Sequence, residues 1–485
     1  MKMLINGQFV DSADGKTQEV INPANGQVLD TVPSATKEDV DRAISCAAQG
    51  QKEWNKKIIR ERAAILRKFL ELLTENRDDL AKTLTMETGK PVFDSYGEID
   101  SVYMTFESAI EIVKHHYGKT MPMGIEGGYD DDLQVTIHEP LGVIACIVPF
   151  NFPAALWAFK AGPALMAGNA IVVKPASYNP LTVLKLMKLL VDAGVTPSVC
   201  QCITGSGATV GNWISDNPLV AQVNLTGGVA AGKEIARHTA ENLTPYKFEL
   251  GGNDPLIICE DCDMELAVNE AGDKTRNAGQ CCSGAKRFIV QNSIKEEFVN
   301  RLIEERLKTV KHGDLMDMET DFGYLISEKA AKEVERQVQL TIDQGAKLVY
   351  GGHREGAYYE PTVLVDVTKD MDICKNMEVF GPVFPIIGFD TLDEAIELAE
   401  ATDFGLSSGV ITNNLQDAMK VAASIKAGMV AVNGSGGFRA QELPFGGGKK
   451  MSGNSRECMS SVLEEVTQEK SIIFRYAMKK YNESK

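Results

Sequence analysis

Two short apolar runs constrain this chain more than any other feature. Gly142 to Val148 and Ala170 to Val173 are continuous, uncharged and rich in β-branched residues. A strand with water on one face alternates apolar and polar residues, whereas a strand buried on both faces does not. These runs therefore predict the middle of a parallel sheet with helices on both sides. Helical segments separate them (Ala155 to Met166, then Leu181 to Ala193), and strand candidates follow at Val199 to Ile203 and Val220 to Leu225. A second alternating region runs from Pro255 to about Phe445. Its strand candidates are Leu256 to Ile258, Arg287 to Val290, Val383 to Phe389 and Gly409 to Ile411, with helices at Lys295 to Val310, Glu328 to Gln344 and Leu392 to Thr402. Strand–helix alternation repeated in this way predicts an α/β chain with doubly wound sheets. At 485 residues there is room for two such domains.

Around this frame the signals are local. Leu4 to Val10, with Asn6-Gly7 at its centre, reads as a hairpin. Thr36 to Gln51 and Arg60 to Thr85 read as amphipathic helices, and a further helix runs to about His116. Leu133, Val135 and Ile137 alternate with polar residues as a half-exposed strand does. The β-prone Ser471 to Tyr476 is expected to pair with residues 133–138, in this chain or a neighbour.

Charge removes whole classes of function. Lys plus Arg is 50 and Asp plus Glu is 67, a net charge of −17, which repels nucleic-acid phosphates and anionic lipid. The longest apolar stretch, Leu141 to Phe152, is broken by Pro149 and Asn151 and is too short to span a bilayer. Met1 to Val10 has no signal-peptide core, so a cytoplasmic protein with reduced thiols is expected for the ten scattered cysteines. Six histidines without an HExxH-like spacing predict no metal site.

Several short segments can carry chemistry. Gly279-Gln280-Cys281-Cys282-Ser283-Gly284 puts thiols on a glycine-flanked backbone beside a strand, either as a nucleophile needing activation or as small core residues. In Phe248-Glu249-Leu250-Gly251-Gly252 an acid between apolar residues should have a raised pKa, suited to a general base; the plain alternative is a solvated strand-end carboxylate. Asn151, in Pro149-Phe150-Asn151-Phe152-Pro153, is held by a stiff backbone and is either an oxyanion donor or a turn residue. Lys174 ends a strand, where open α/β sheets bind ligands. Gly205-Ser206-Gly207 and Thr226-Gly227-Gly228 lie between strand and helix, where phosphate is favoured, although no full GxGxxG is present.

Taken in order, these segments, with Glu378-Val379-Phe380-Gly381-Pro382-Val383 and Pro444-Phe445-Gly446-Gly447, resemble the aldehyde dehydrogenase superfamily over nearly the whole chain. The resemblance implies a Rossmann-like NAD(P)-binding domain (1–120 and 142–251), an α/β catalytic domain (252–446) and a small β oligomerisation arm (121–141 and 465–485). It implies Cys282, two residues after Gln280, as nucleophile, Glu249 as base for the deacylating water, and Asn151 with the Cys282 N–H as oxyanion hole. Lys174 would hold the adenosine ribose and Glu378 the nicotinamide ribose. Pro149, Phe150, Ser177, Gly207, Gly211, Thr226, Gly227, Gly228, Leu250 and Phe380 would complete the cofactor site. A homodimer or homotetramer is implied.

Ser177 stands where many NAD-specific relatives carry an acid, so NADP is expected to be accepted alongside NAD. Lys274 to Gln280 is similar to succinate-semialdehyde dehydrogenases, in which an Arg at the position of Arg276 binds the substrate carboxylate. Their second anchoring Arg corresponds to Phe159 here, and Arg439, before Phe445, is a replacement cation. Lys174, Lys274, Arg276 and Arg439 are expected to make the site locally basic. The expected substrate is a small anionic aldehyde of semialdehyde type. The alternatives are a neutral short aldehyde resembling lactaldehyde or glycolaldehyde, and a non-catalytic relative. Glu249 argues against a CoA-acylating reaction. Cys259-Glu260-Asp261-Cys262 lacks the context of a redox motif. Gly446 to Gly453 carries one residue more than the usual family pattern, and Ser455 replaces a Gly.

Overall fold

The computed structural model describes residues 1–484, and Lys485, the last residue assigned to the arm, lies outside the described residues. Every residue of Val143–Ile147 and Ala170–Lys174 is buried, as their unbroken apolar character requires. They lie inside a seven-stranded sheet with the spatial order Tyr246–Glu249, Val220–Thr226, Val143–Ile147, Ala170–Lys174, Cys200–Cys202, Met3–Ile5, Gln8–Val10. The strands from Tyr246–Glu249 to Cys200–Cys202 are parallel, and the N-terminal hairpin adds antiparallel at the edge, Leu4 opposite Cys202. Asn6 and Gly7 both have positive φ (52° and 75°), as a two-residue turn with right-handed strand twist needs. The chain moves outward from Val143–Ile147 in both directions, so the crevice beyond its C-terminal end is a topological switch point. Pro149 to Asn151 and Thr226 to Gly228 leave the sheet there.

The second sheet has the order Lys347–Tyr350, Thr362–Val367, Val383–Phe389, Arg287–Gln291, Pro255–Ile258, Ser407–Ile411, Met429–Val432. Only Lys347–Tyr350 pairs antiparallel. Alternate residues feed opposite cores. Ile257, Ile289, Ile387 and Val410 pack on one face, and Leu256, Ile258, Phe288, Val290 and Ile386 on the other. Burying each such side chain contributes about 1.5–3 kcal/mol. The larger core wraps the first sheet, with Phe69, Phe106 and Trp157 in one aromatic cluster (centroids 4.7, 5.3 and 6.1 Å apart). Thr467–Phe474 pairs antiparallel with Leu133–Pro140 of the same chain along its whole length.

Two helix expectations need correction. Arg60 to Thr85 is two helices, Ile59–Glu75 and Arg77–Thr88, broken at Asn76 (φ −102°, ψ 9°). The Asn76 amide donates to the Leu72 carbonyl at 2.8 Å, competing with the backbone ladder. Lys295 to Val310 is α-helical only over Lys295–Arg301 and widens to a π-helix over Leu302–Leu307. Among the described residues no helix is long and apolar enough to cross a membrane.

Candidate active site

Cys282 and Cys281 line a cavity of about 260 Å³ between the two sheets, together with Phe159, Arg276, Asn277 and Arg439. Asn277 and Ala278 hold positive φ (47° and 50°) just before the cysteines. Hydrogen bonds over-determine this unusual backbone. The Asn277 amide donates to the Asn151 and Gln280 carbonyls (2.9 and 3.3 Å), and the Gln280 amide returns to the Asn277 carbonyl at 3.0 Å. Lys286 Nζ donates to the Cys282 carbonyl at 2.5 Å and lies 3.4 Å from Glu378 Oε1. Burial would lower the Lys286 pKa, but Glu378 and Asp254 outweigh it and hold the ammonium charged.

The two thiols titrate as a pair. The Cys282 thiol hydrogen-bonds to Cys281, which drops well below the ordinary thiol range, while that bond and burial hold Cys282 well above it. The first proton thus leaves the pair easily and the second is retained. All ten cysteines are free, and Cys146, Cys200, Cys202, Cys259 and Cys374 are pushed up mainly by burial.

Asn151 is buried and its amide donates to the Gln280 carbonyl at 3.2 Å, which brings it beside the cysteine segment. Its own carbonyl accepts from Lys90 Nζ at 2.8 Å. Lys90 in turn pairs with Glu98 at 2.5 Å, both fully enclosed. Glu98 Oε1 accepts from the N–H groups of Ala154 and Ala155, the open end of helix Pro153–Ala167. Thus one buried ion pair fixes both the backbone of Asn151 and the helix that follows it.

Glu249 ends strand Tyr246–Glu249, only 3% exposed, and neither carboxylate oxygen has a hydrogen-bond partner. Burial, then the nearby Glu457 charge, raises its pKa well above the usual carboxyl range. It does not line the thiol cavity. The loop after Phe445 roofs it. A Cβ on Gly446 would lie 2.5 Å from Glu249 Oε1, and Leu250 N–H donates to the Ser452 carbonyl at 3.2 Å. The extended segment Gly446 to Gly453 therefore closes over this acid. Glu457 is paired, to Lys160 at 3.1 Å and to Arg439 at 3.4 Å. Burial alone would raise it, but Lys160 and Arg439 hold it below the usual range.

On the first sheet, Lys174 ends its strand buried, with Nζ donating to the Pro175 carbonyl at 2.9 Å. Burial lowers its pKa to about 8. Gly207 and Gly228 stand at the starts of helices Gly207–Ser215 and Val229–Ala240, neither of which has a side-chain cap. Two uncapped helix starts beside a lysine at the switch point fit a dinucleotide phosphate. Gly252 N–H donates to Glu378 Oε1 at 3.2 Å, and Phe380 meets Phe150 edge-on at 5.9 Å. Ser177 donates to the Gly205 carbonyl at 2.8 Å.

Three expected cofactor contacts have other partners. The Thr226 hydroxyl lies 2.6 Å from Lys160 Nζ and 3.0 Å from Glu457. Gly211 is buried against Ile235 and Ile147, and Leu250 packs against Gly232.

The family model described as aldehyde dehydrogenase family covers residues 9–472. The chain belongs to the aldehyde dehydrogenase family. This dehydrogenase is 37% identical over 472 residues to the 3-sulfolactaldehyde dehydrogenase of Priestia aryabhattai, covering 97% of each chain. It is 38% identical over 458 residues to the succinate-semialdehyde dehydrogenase [NADP(+)] of Escherichia coli strain K12, covering 94% of this chain and 93% of that one. The crystal structure of an E. coli NADP-dependent enzyme superposes with a TM-score of 0.94 at 36% identity, covering 98% of both chains. The enzyme is accordingly an NAD(P)-dependent oxidoreductase of the aldehyde dehydrogenase class with the fold of that family.

The cations of this dehydrogenase are arranged differently from expectation. Lys274 is buried, donates to the Gly279 carbonyl, and is lowered to about 7 by burial and Lys286. Its positive charge is therefore only partial near neutral pH. Arg276 lines the cavity but is 65% exposed and 3.8 Å from Asp94. Arg439 lies over Phe445 with its guanidinium carbon 3.3 Å from the ring centroid, and 5.7 Å from that of Phe159. Its Nη1 is buried without a partner. Phe445 thus supports Arg439 rather than lining the cavity itself. Lys90, Glu98, Asn277, Lys286 and Glu457 escaped sequence reasoning. Gly89-Lys90-Pro91 looks like a helix stop, and each of these residues acts through partners far away in the chain.

Proposed function

We propose that this dehydrogenase oxidises a short aldehyde bearing an anionic group to its carboxylic acid. The observation that carries the reading is the unpartnered Nη1 of Arg439, in the wall of the cavity that also holds Cys282. A buried guanidinium N–H without an acceptor is costly, and a carboxylate, sulfonate or phosphate oxygen would satisfy it. Arg439, stacked where Phe159 leaves space, is the main anchor; Arg276, half-neutralised by Asp94, guards the mouth. The names of the two relatives, acting on sulfolactaldehyde and succinate semialdehyde, are of this kind.

Cys282 passes its proton to the Cys281 thiolate and, now a thiolate itself, adds to the aldehyde carbon. The alkoxide accepts hydrogen bonds from the Asn151 amide and the Cys282 N–H. Bound NAD(P)+ supplies the hydride acceptor, held by Lys174, Ser177, Gly207, Gly227, Gly228 and Glu378, with Phe150 and Phe380 beside it. What remains on Cys282 is a thioester. Glu249 takes a proton from water, which attacks the thioester carbon and releases the acid and the Cys282 thiolate. Ser177, which brings no negative charge, admits NADP+ as well as NAD+. The cytoplasm and a homo-oligomer remain the expected setting.

The test is kcat/KM for sulfonated, carboxylated and neutral aldehydes of equal length, with both coenzymes. Arg439→Ala should lower the anionic values by about 10–150-fold, the range for a lost charged hydrogen bond of about 1.5–3 kcal/mol. Neutral values should fall less, by only what the lost Arg439 charge costs Glu249 and Cys282. An equal loss on neutral aldehydes would overturn the assignment.

A further inference from the structure

Far from the cysteines, His116, His138 and Glu464 each bring one ligand atom within 4.8 Å of the others. They come from three elements. His116 follows the one-turn helix Val113–His115, His138 lies in strand Leu133–Pro140, and Glu464 lies in helix Met459–Glu465. The sequence, with six histidines and no ligand spacing, gave no sign of this meeting.

The hydrogen bonds around His116 favour one tautomer. The Thr467 hydroxyl donates to the Leu463 carbonyl at 2.9 Å, so toward His116 Nε2, 3.2 Å away, it accepts. Nε2 therefore carries the ring proton and Nδ1 presents a lone pair. That lone pair faces Glu464 Oε1 at 3.4 Å, acceptor against acceptor. The His138 ring lies against the His116 ring, centroids 3.8 Å apart, and its Nδ1 is buried without a hydrogen-bond partner. His115 Nδ1 lies 3.0 Å from the Tyr117 hydroxyl.

We propose that His116, His138 and Glu464 bind a divalent transition-metal ion, zinc being the best match to two imidazoles and a carboxylate. A metal placed among them satisfies the facing acceptors together. The Thr467–His116 bond is the outer-sphere contact that ligating histidines ordinarily have, holding the ring with Nδ1 forward. Entry is open. Glu464 has a side chain 62% exposed, and a cleft of about 240 Å³ lined by His116, Ser461 and Glu464 reaches solvent. Water would fill the fourth position. The site joins strand Leu133–Pro140 to the helix that leads into its partner strand Thr467–Phe474, so the ion would clamp the base of the two-stranded arm.

The full-length enzyme, stripped with a chelator, is titrated with zinc and with cobalt(II). One equivalent is expected, with a cobalt d–d spectrum free of thiolate charge transfer, and zinc should raise the Tm. His138→Asn, and separately Glu464→Gln at the exposed ligand, should weaken binding at least about tenfold and remove the Tm shift. Cys282→Ser should bind as the parent does. Glu464→Gln covers the case in which His138→Asn fails to fold. Absence of binding, a thiolate charge-transfer band, loss of binding in Cys282→Ser, or unchanged affinity in Glu464→Gln would each overturn the proposal.

Discussion

Glu249 and Glu457 show how two buried acids in one neighbourhood take opposite states. Glu457 is matched by Lys160 and Arg439 and stays ionised, whereas Glu249 has no partner and faces that charge. A base with a raised pKa is protonated at low pH, so turnover limited by deacylation should rise with pH as Glu249 loses its proton. Removing the Glu457 charge removes a repulsion that raises the Glu249 pKa and frees the Lys160 and Arg439 charges, which lower it. Glu457→Gln should therefore move the rise in kcat to lower pH, and Glu249→Gln should keep a single burst of NAD(P)H while losing steady turnover. An unmoved midpoint in the first variant, or normal turnover in the second, would remove Glu249 from the role of base. At this scale it was the family resemblance, through the place two residues after Gln280, that singled out Cys282 among ten cysteines. It did not show Glu457, whose partners Lys160 and Thr226 are 297 and 231 residues away.

At the scale of elements, legibility followed burial pattern. Val143–Ile147 and Ala170–Lys174 announced themselves because both faces are buried. The hairpin of Thr17–Ile21 with Val28–Pro33 buries only Val20, Val32 and Pro33 among exposed and half-exposed residues, with no clean alternation to read. Helix Pro153–Ala167 was legible as a helix, but the acid that completes its N-terminus was not, because Glu98 comes from helix Val92–Ile112. Glu98→Ala should strip the helix of that acceptor and leave Lys90 as an unpaired buried charge. A loss of about 3–5 kcal/mol in urea unfolding is expected, the usual result of breaking a buried pair from one side. Lys90→Met combined with Glu98→Leu should recover much of that stability, since no charge is left behind. Activity should stay low in the double variant, because the Asn151 carbonyl loses the ammonium that fixes it. Recovery of both together would mean that the pair serves stability alone.

For the whole molecule, the two-stranded arm keeps one strand edge unpaired among the described residues. A two-stranded ribbon is marginal by itself in water. Leu133–Pro140 is covered on its outer side by the Thr120–Val135 bridge and the Met121–Gln134 hydrogen bond, so the free edge belongs to Thr467–Phe474. That strand exposes Ile473 and Phe474, 58% and 49% accessible, with Tyr476 just beyond. Apolar side chains on an unpaired edge invite a second strand, and with a net charge of −17 repelling copies at long range the contact must be local and apolar. Ile473→Asp with Phe474→Asp should lower the mass measured by sedimentation velocity while leaving the helical circular-dichroism signal intact, since both side chains lie outside the cores. Raising ionic strength should strengthen association of the parent by screening that repulsion, and should not rescue the variant. A variant that sediments like the parent would exclude this edge as a contact between copies.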